Sequence, residues 1–346
     1  ILYRMYGDRR EIERHYDEVL QYINYLLKEA DDGMISRSPY GEWACPKAEC
    51  FPEEYGPGAN PRYVSFPFVS TMFFYHTLLQ MQEMADILNK PDGSYLALLT
   101  ETIKRKINQK YFNAGTAQYD QGTQSANAMA VMMGLAEEKD IPRIVENIVE
   151  NLKAHDYHLT TGSVGTKAVI QVLCENGYED VAYKVMTATT SPSFGYMIVN
   201  GATTMWERWE ADHDNNIMNS RNHPMLAQAC VWFYKYLGGV RVGYDRQGIQ
   251  KVCVCPLIPE GLNQVKVSVD VMAGKVTSEW ERKDDAVVLT IEVPQNVETE
   301  AKILKKYGRV CESLCLTRAE EPVLSEREDS MVCQLGAGRY QFIIRK

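Results

Sequence analysis

The chain has 346 residues, a formal net charge of -9 and 45% hydrophobic residues. That length accommodates two domains. The acidic balance, with no basic stripe, excludes the electrostatic footprint of a nucleic-acid binder, and no run of about eighteen apolar residues is present to span a membrane.

The first residues, Ile1 to Glu11, lack the apolar region and cleavage site of a signal peptide. The chain begins with Ile rather than Met, so a cut or internal start stays open. There are nine cysteines, an odd number. Cys45 and Cys50, Cys253 and Cys255, and Cys311 and Cys315 form close pairs. None has a matching second pair or a nearby histidine, so no zinc site and no other metal is expected. Free thiols fit a reducing compartment and favour a cytoplasmic location.

Residues 9–30 carry Ile12, Tyr16, Val19, Ile23 and Leu26 on one stripe, which predicts an amphipathic helix stopped by Asp31, Asp32 and Gly33. Residues 34–65 form a long proline-rich loop, a length that is usually functional in a compact domain. It contains Gly41-Glu42-Trp43, residue types of a site. Helices are then predicted over 66–89, 93–112, 123–136, 141–154, 163–176, 178–188 and 223–238, separated by short stop signals such as Pro91-Asp92-Gly93 and Asn176-Gly177. His76 and Met72 fall on the first of these and read as core. Many helices with few strands fit an (α/α) barrel of two concentric layers. The periodicity alone allows a bundle or a solenoid as well.

After Gly238-Gly239 the period changes to two. Val265, Val267 and Val269 alternate with polar residues, and Val276, Ser278 and Trp280 continue the pattern. Lys283-Asp284-Asp285 reads as a turn before Val287–Ile291, and Tyr340–Ile344 reads as a last strand. Residues 241–346 are therefore expected to be an antiparallel β-sandwich.

The densest stretch chemically runs from Ser191 to Pro224. Trp206 and Trp209 bracket Glu207 and Arg208. A run of Asp, His and Asn follows, ending in Asn222-His223-Pro224. A loop this rich in aromatics, acids and amides loses much entropy on ordering, which is typical of a loop that lines a site. Indole faces stack on sugar rings, and carboxylates and amides bond hydroxyls, so the composition points to carbohydrate. Glycoside hydrolysis needs two carboxyl groups flanking the bond, and Glu207 is the candidate for one. Beside Arg208 it fits a structural ion pair equally well. His223 alone reads as structural, and Trp43 as loop packing. Asp212, Asp214, Asn215 and Asn216 lack the ligand spacing of a calcium loop. No phosphate-binding loop, nucleophile elbow or His-Glu-x-x-His is present.

Several ordered stretches together carry a resemblance. They are Tyr6-Gly7-Asp8, Gly41-Glu42-Trp43, Gln124, Leu159-Thr160-Thr161-Gly162, Ser191–Met197, Gly201–Glu210, and Asn219–Met225 with Trp232–Val240. With these the chain resembles bacterial α-L-rhamnosidases, glycoside hydrolase family 78, from about residue 3 to about residue 245. The resemblance implies that residues 1–240 are an (α/α)6 barrel domain, N-terminally incomplete because fewer helices are read than six hairpins need. Residues 241–346 follow as the β-sandwich domain.

The resemblance further implies hydrolysis of terminal α-L-rhamnose with inversion, no cofactor, and Glu207 as general base. His223 would bond a rhamnose hydroxyl, and Glu42, Trp43 and Trp206 would contact the sugar. The chain departs from the family at two of these places. Glu42 stands where the family has Asp, and Phe194 where it has Trp. The family's acid lies in an Arg-Asp-Glu-Arg-x-Gly-Trp stretch that this sequence does not contain. Asp8-Arg9-Arg10-Glu11 is only superficially similar and reads as a charged helix start. The expected partner is a rhamnoside, and a homodimer stays open. Two other readings also stay open: a non-catalytic carbohydrate-binding fragment, and another (α/α)-barrel glycosidase or lyase.

Overall fold

The computed structural model describes residues 2–36, 41–46, 64–210, 220–244, 250–317 and 321–346. The chain divides into two compact units, Glu11–Ala229 and a second made of Ile1–Arg10 with Cys230–Lys346. The sequence placed the first ten residues with the helices. The structure groups them with the strands, where α1 (Leu2–Tyr6) packs against β3 (Val240–Tyr244).

The helical unit comprises α2 (Arg10–Glu29), α3 (Phe66–Leu88), α4 (Gly93–Tyr111), α5 (Gln124–Met132), α6 (Ile141–Ala154), α7 (Gly165–Glu175), α8 (Glu179–Thr187) and α9 (Phe194–Val199). A short ribbon, β1 (Phe112–Asn113) with β2 (Gln118–Tyr119), joins α4 to α5. Burial sorts these helices into two layers. In α6 only the stripe Ile144, Val145, Ile148, Val149 and Leu152 is buried, and in α4 only Leu96, Thr100, Ile103 and Ile107. Each presents one apolar stripe and one wet face, as an outer helix must. By contrast α5 is buried from Gln124 through Ala130, and α7 at eight of its eleven positions. These two touch each other as well as α6, so they belong to an inner layer.

The termini follow the local chemistry. Thr123 caps α5 by accepting the Ala126 amide at 3.1 Å, and Ser193 caps α9 by accepting the Tyr196 amide at 2.9 Å. Asn89 closes α3 in a left-handed conformation.

The helix expected over 223–238 is instead a 3-10 turn at Leu226–Cys230 and a π-helical turn at Phe233–Leu237. Leu226, Ala229 and Trp232 are buried at steps of three, the repeat of the tighter helix. The run Trp232-Phe233-Tyr234 has weak α-propensity to resist it.

The strand-bearing unit holds two five-stranded sheets. One runs β10-β11-β8-β4-β3, built from Ser325–Glu326, Ser330–Leu335, Glu298–Leu304, Gln250–Val254 and Val240–Tyr244. The other runs β5-β6-β7-β12-β9, built from Gln264–Val271, Gly274–Lys283, Ala286–Val293, Gly338–Arg345 and Arg309–Cys315. Alternation matches the reading of the sequence: Val287, Leu289, Ile291 and Val293 point into a shared core with Trp280, Phe342 and Ala301. One pair departs from the expected antiparallel pattern. β4 and β8 run parallel, with Val252 opposite Thr299, because the chain leaves this sheet through β5–β7 and returns from the other side.

Trp280 is fully buried, and its Nε1–H donates to the Leu237 carbonyl at 2.8 Å. Trp280→Phe keeps most of the ring but strands that carbonyl. It should lower stability by about 1–3 kcal/mol, read as a fall in the urea midpoint with an unchanged slope.

Candidate active site

The segment Gly41–Pro46 enters the helical unit. Of its six residues only Trp43 is not buried. Close packing fixes its path: a Cβ on Gly41 would lie 2.5 Å from the Phe66 ring. Trp43 lines a cavity of about 630 Å³ together with Tyr22, Phe73, His76, Lys167 and Met225. His76 therefore corrects the sequence reading: it is half-buried on the cavity wall, with Nε2 3.2 Å from Gln80 Nε2. Met72, on the same helix, is core at 0% exposure.

Behind the indole, the Trp43 carbonyl accepts the Ser163 amide at 2.9 Å and the Ser163 hydroxyl at 3.2 Å. Glu42 is 0% exposed. Its Oε1 accepts the amides of Gly162 and Gly165 and the hydroxyl of Ser125, and Oε2 accepts Gly165 again at 3.0 Å. The expected sugar contact at Glu42 is corrected accordingly. Its oxygens are spent on the 162–165 turn and on α5, so the side chain stands behind Trp43 rather than facing a ligand.

Burial pushes the Glu42 carboxyl up to about 7, against the pull of the Gly165, Gly162, Ser125 and Val164 donors. The sign of the linkage follows. An acid whose folded value is raised stabilises the fold below its unfolded value, near 4.5, and loses that contribution as pH rises through about 7. The urea midpoint should thus fall between about pH 5 and pH 8 in the wild type. Glu42→Gln should remove that component of the slope. Parallel curves for the two proteins would refute it.

The second part of the site is a pairing of two strands of loop. The Glu207 amide donates to the Ser220 carbonyl at 2.9 Å, the His223 amide donates to the Met205 carbonyl at 2.9 Å, and the Thr204 hydroxyl donates to the Arg221 carbonyl. Trp206, Glu207 and His223 are thereby held on one turn. Glu207 and His223 are half-buried. The Met225 amide donates to His223 Nδ1 at 3.3 Å, so in a neutral ring the proton sits on Nε2. Trp206 is only 3% exposed, with the Arg221 guanidinium 5.7 Å from its ring centre. It forms a wall of the turn rather than an open stacking platform. Asp212, Asp214, Asn215 and Asn216 lie outside the described residues. Among those described, no group of three His, Cys, Asp or Glu could hold a metal ion.

These two parts are joined by a residue to which the sequence reading gave no role. Trp209 is fully buried, and its Nε1–H donates to the Thr161 carbonyl at 2.8 Å. Its ring meets Phe194 edge-on at 5.2 Å. The turn that holds Trp43 is thus bonded to the tetrad Trp206–Trp209. Gln124 completes the frame by donating to the His158 carbonyl at 3.2 Å and accepting the Thr160 amide at 3.0 Å. Trp206, Glu207 and His223 do not line the Trp43 cavity itself; Met225, two residues past His223, does. The signal for Trp209 was present in the paired tryptophans. That for Ser125 and Gly165 was not, since neither residue type is distinctive alone.

The family model for the bacterial alpha-L-rhamnosidase 6 hairpin glycosidase domain matches residues 1–237, and that for the bacterial alpha-L-rhamnosidase C-terminal domain matches residues 239–312. An alpha-L-rhamnosidase of Streptomyces avermitilis is 30% identical over 307 residues, covering 87% of this chain and 28% of the relative. The structure of alpha-L-rhamnosidase from Dictyoglumus thermophilum superposes with a TM-score of 0.87 at 32% identity, over 100% of this chain and 38% of that one. The Streptomyces avermitilis enzyme complexed with L-rhamnose superposes at 0.82 with 24% identity, over 99% and 32%. The chain thus spans between 28% and 38% of the length of these relatives. With matching models over both its helical and its strand-bearing parts, the chain belongs to the bacterial alpha-L-rhamnosidase family.

Proposed function

We propose that this chain supplies the sugar-facing turns and the general base of an enzyme that hydrolyses terminal α-L-rhamnosides with inversion. The observation that carries this reading is the turn holding half-buried Glu207 beside His223, bonded through Trp209 and Thr161 to the segment that presents Trp43. In an inverting reaction a water oxygen attacks the anomeric carbon as the bond to the aglycone oxygen breaks. The water proton passes to the base, here Glu207, and the aglycone oxygen takes a proton from a second carboxyl roughly 6.5–9.5 Å away. In this reading His223 Nε2–H donates to a sugar hydroxyl and the Trp43 face covers the ring. A rhamnose ligand is supported by the L-rhamnose complex of the Streptomyces avermitilis relative.

The test is hydrolysis of an aryl α-L-rhamnoside by the whole protein that carries this sequence, followed by proton NMR of the first-formed sugar. β-L-Rhamnose should appear first and mutarotate afterwards. The α-anomer first would rule out inversion, and no hydrolysis would rule out the activity. Residues 1–346 alone are expected to turn the substrate over very slowly, because the resemblance puts the acid in a stretch that they lack.

A further inference from the structure

We propose that Glu42 is the positioning residue of the Trp43 indole, locking the segment Gly41–Pro46 onto the 161–165 turn by gathering that turn's backbone amides. The consequence for sugar binding rests on the function proposed above, but the lock itself does not. Three observations carry it. The carboxylate takes amides from Gly162 and Gly165 and the Ser125 hydroxyl, from two separate elements. The next residue's carbonyl takes both donors of Ser163. Both glycines are needed for the approach: a Cβ on Gly162 would lie 2.0 Å from Trp43 O, and one on Gly165 2.2 Å from Ser125 Oγ and 2.9 Å from Glu42 Oε1.

The chain therefore has no slack between the carboxyl and the indole. Trp43 is the one residue of the segment left partly open, on the cavity wall. Phe66, Gln124 and Ser125 bring no charge to Glu42. Of the titratable groups on the helices around the segment, Lys167 on α7 and His76 on α3 line the cavity together with Trp43. An ionised Glu42 accepts every donor aimed at it. A protonated Glu42 keeps acceptor capacity for these amides and sheds the cost of burying a charge, so its titration changes the field at the Trp43 indole without opening the lock.

The experiment is fluorine NMR of the 346-residue chain labelled with 5-fluorotryptophan, which should give one resonance for each of its five tryptophans. Trp43 is assigned by its loss in Trp43→Phe. In the wild type its resonance should titrate with a midpoint near 7, while those of Trp232 and Trp280 stay flat. In Glu42→Gln the Trp43 resonance should shift and stop titrating, and amide exchange at Gly162 and Gly165 should accelerate at least about tenfold. Ser125→Ala removes one donor and should raise the midpoint, which keeps the test decisive if Glu42→Gln does not fold. A Trp43 resonance that is invariant with pH in the wild type, or that titrates unchanged in Glu42→Gln, overturns the proposal. A whole protein inactive on rhamnosides would instead sink the proposed function and leave these spectra as they are.

Discussion

Glu207→Gln is expected to lower kcat for an aryl α-L-rhamnoside by about 10²–10⁴-fold in the whole protein, the usual worth of a general base, with KM nearly unchanged. The amide matches the carboxylate in size and keeps a carbonyl acceptor, so ground-state contacts survive. It cannot take the water proton, so the loss falls on the transition state. The turn should not collapse, because it is pinned by backbone bonds at Glu207 and His223 and by the Thr204 hydroxyl rather than by the carboxylate alone. Azide separates the chemical from the structural explanation. It attacks without needing deprotonation, so it should restore aglycone release in the variant and yield the inverted β-rhamnosyl azide. A variant with wild-type kcat would make Glu207 structural. One inactive with azide as well would point to a displaced turn.

How much of this was legible beforehand depends on the range of the interactions. The outer helices were readable because a stripe such as Ile144, Val145, Ile148, Val149 and Leu152 is a local pattern. The strands of the sandwich were readable because Val287, Leu289 and Ile291 alternate with residues facing the other way. Where the pattern failed, a tertiary constraint had overridden propensity. Leu226, Ala229 and Trp232 are compatible with either helix pitch until burial chooses between them. The parallel pairing of β4 with β8 cannot be read from either strand. At the site, the resemblance singled out the stretches that hold Glu207, Trp43 and His223. It gave no hint that the Glu42 oxygens are consumed by amides lying 120 and 123 positions further along the chain. A carboxylate reads as polar and available in sequence; only its neighbours in space show that it is inside.

Those neighbours make Gly162 the most sensitive backbone position in the site. The expected result of Gly162→Ala is a fall in stability of about 3 kcal/mol or more, the upper range for overpacking, together with a large loss of kcat/KM. The added Cβ would lie 2.0 Å from Trp43 O, 2.8 Å from Trp43 C and 3.0 Å from Cys45 N. All three are backbone atoms, so no rotamer change relieves the clash, and one strand must move by more than an ångström. That movement breaks the bond from the Ser163 amide to the Trp43 carbonyl and the bond from Gly162 to Glu42. It also shifts the indole, and a displacement of about 1 Å can cost roughly 10²-fold in rate. Gly165→Ala should be milder, since its Cβ would meet side-chain atoms, Ser125 Oγ at 2.2 Å, Ser125 Cβ at 2.7 Å and Glu42 Oε1 at 2.9 Å, rather than backbone. Gly243→Ala serves as the control, because nothing lies within 4 Å of its Cβ. Urea midpoints that rank Gly162→Ala well below Gly165→Ala, and both below Gly243→Ala, would bear out the packing argument. A Gly162→Ala protein as stable as Gly243→Ala would show that the Trp43 segment is not held against this turn in solution.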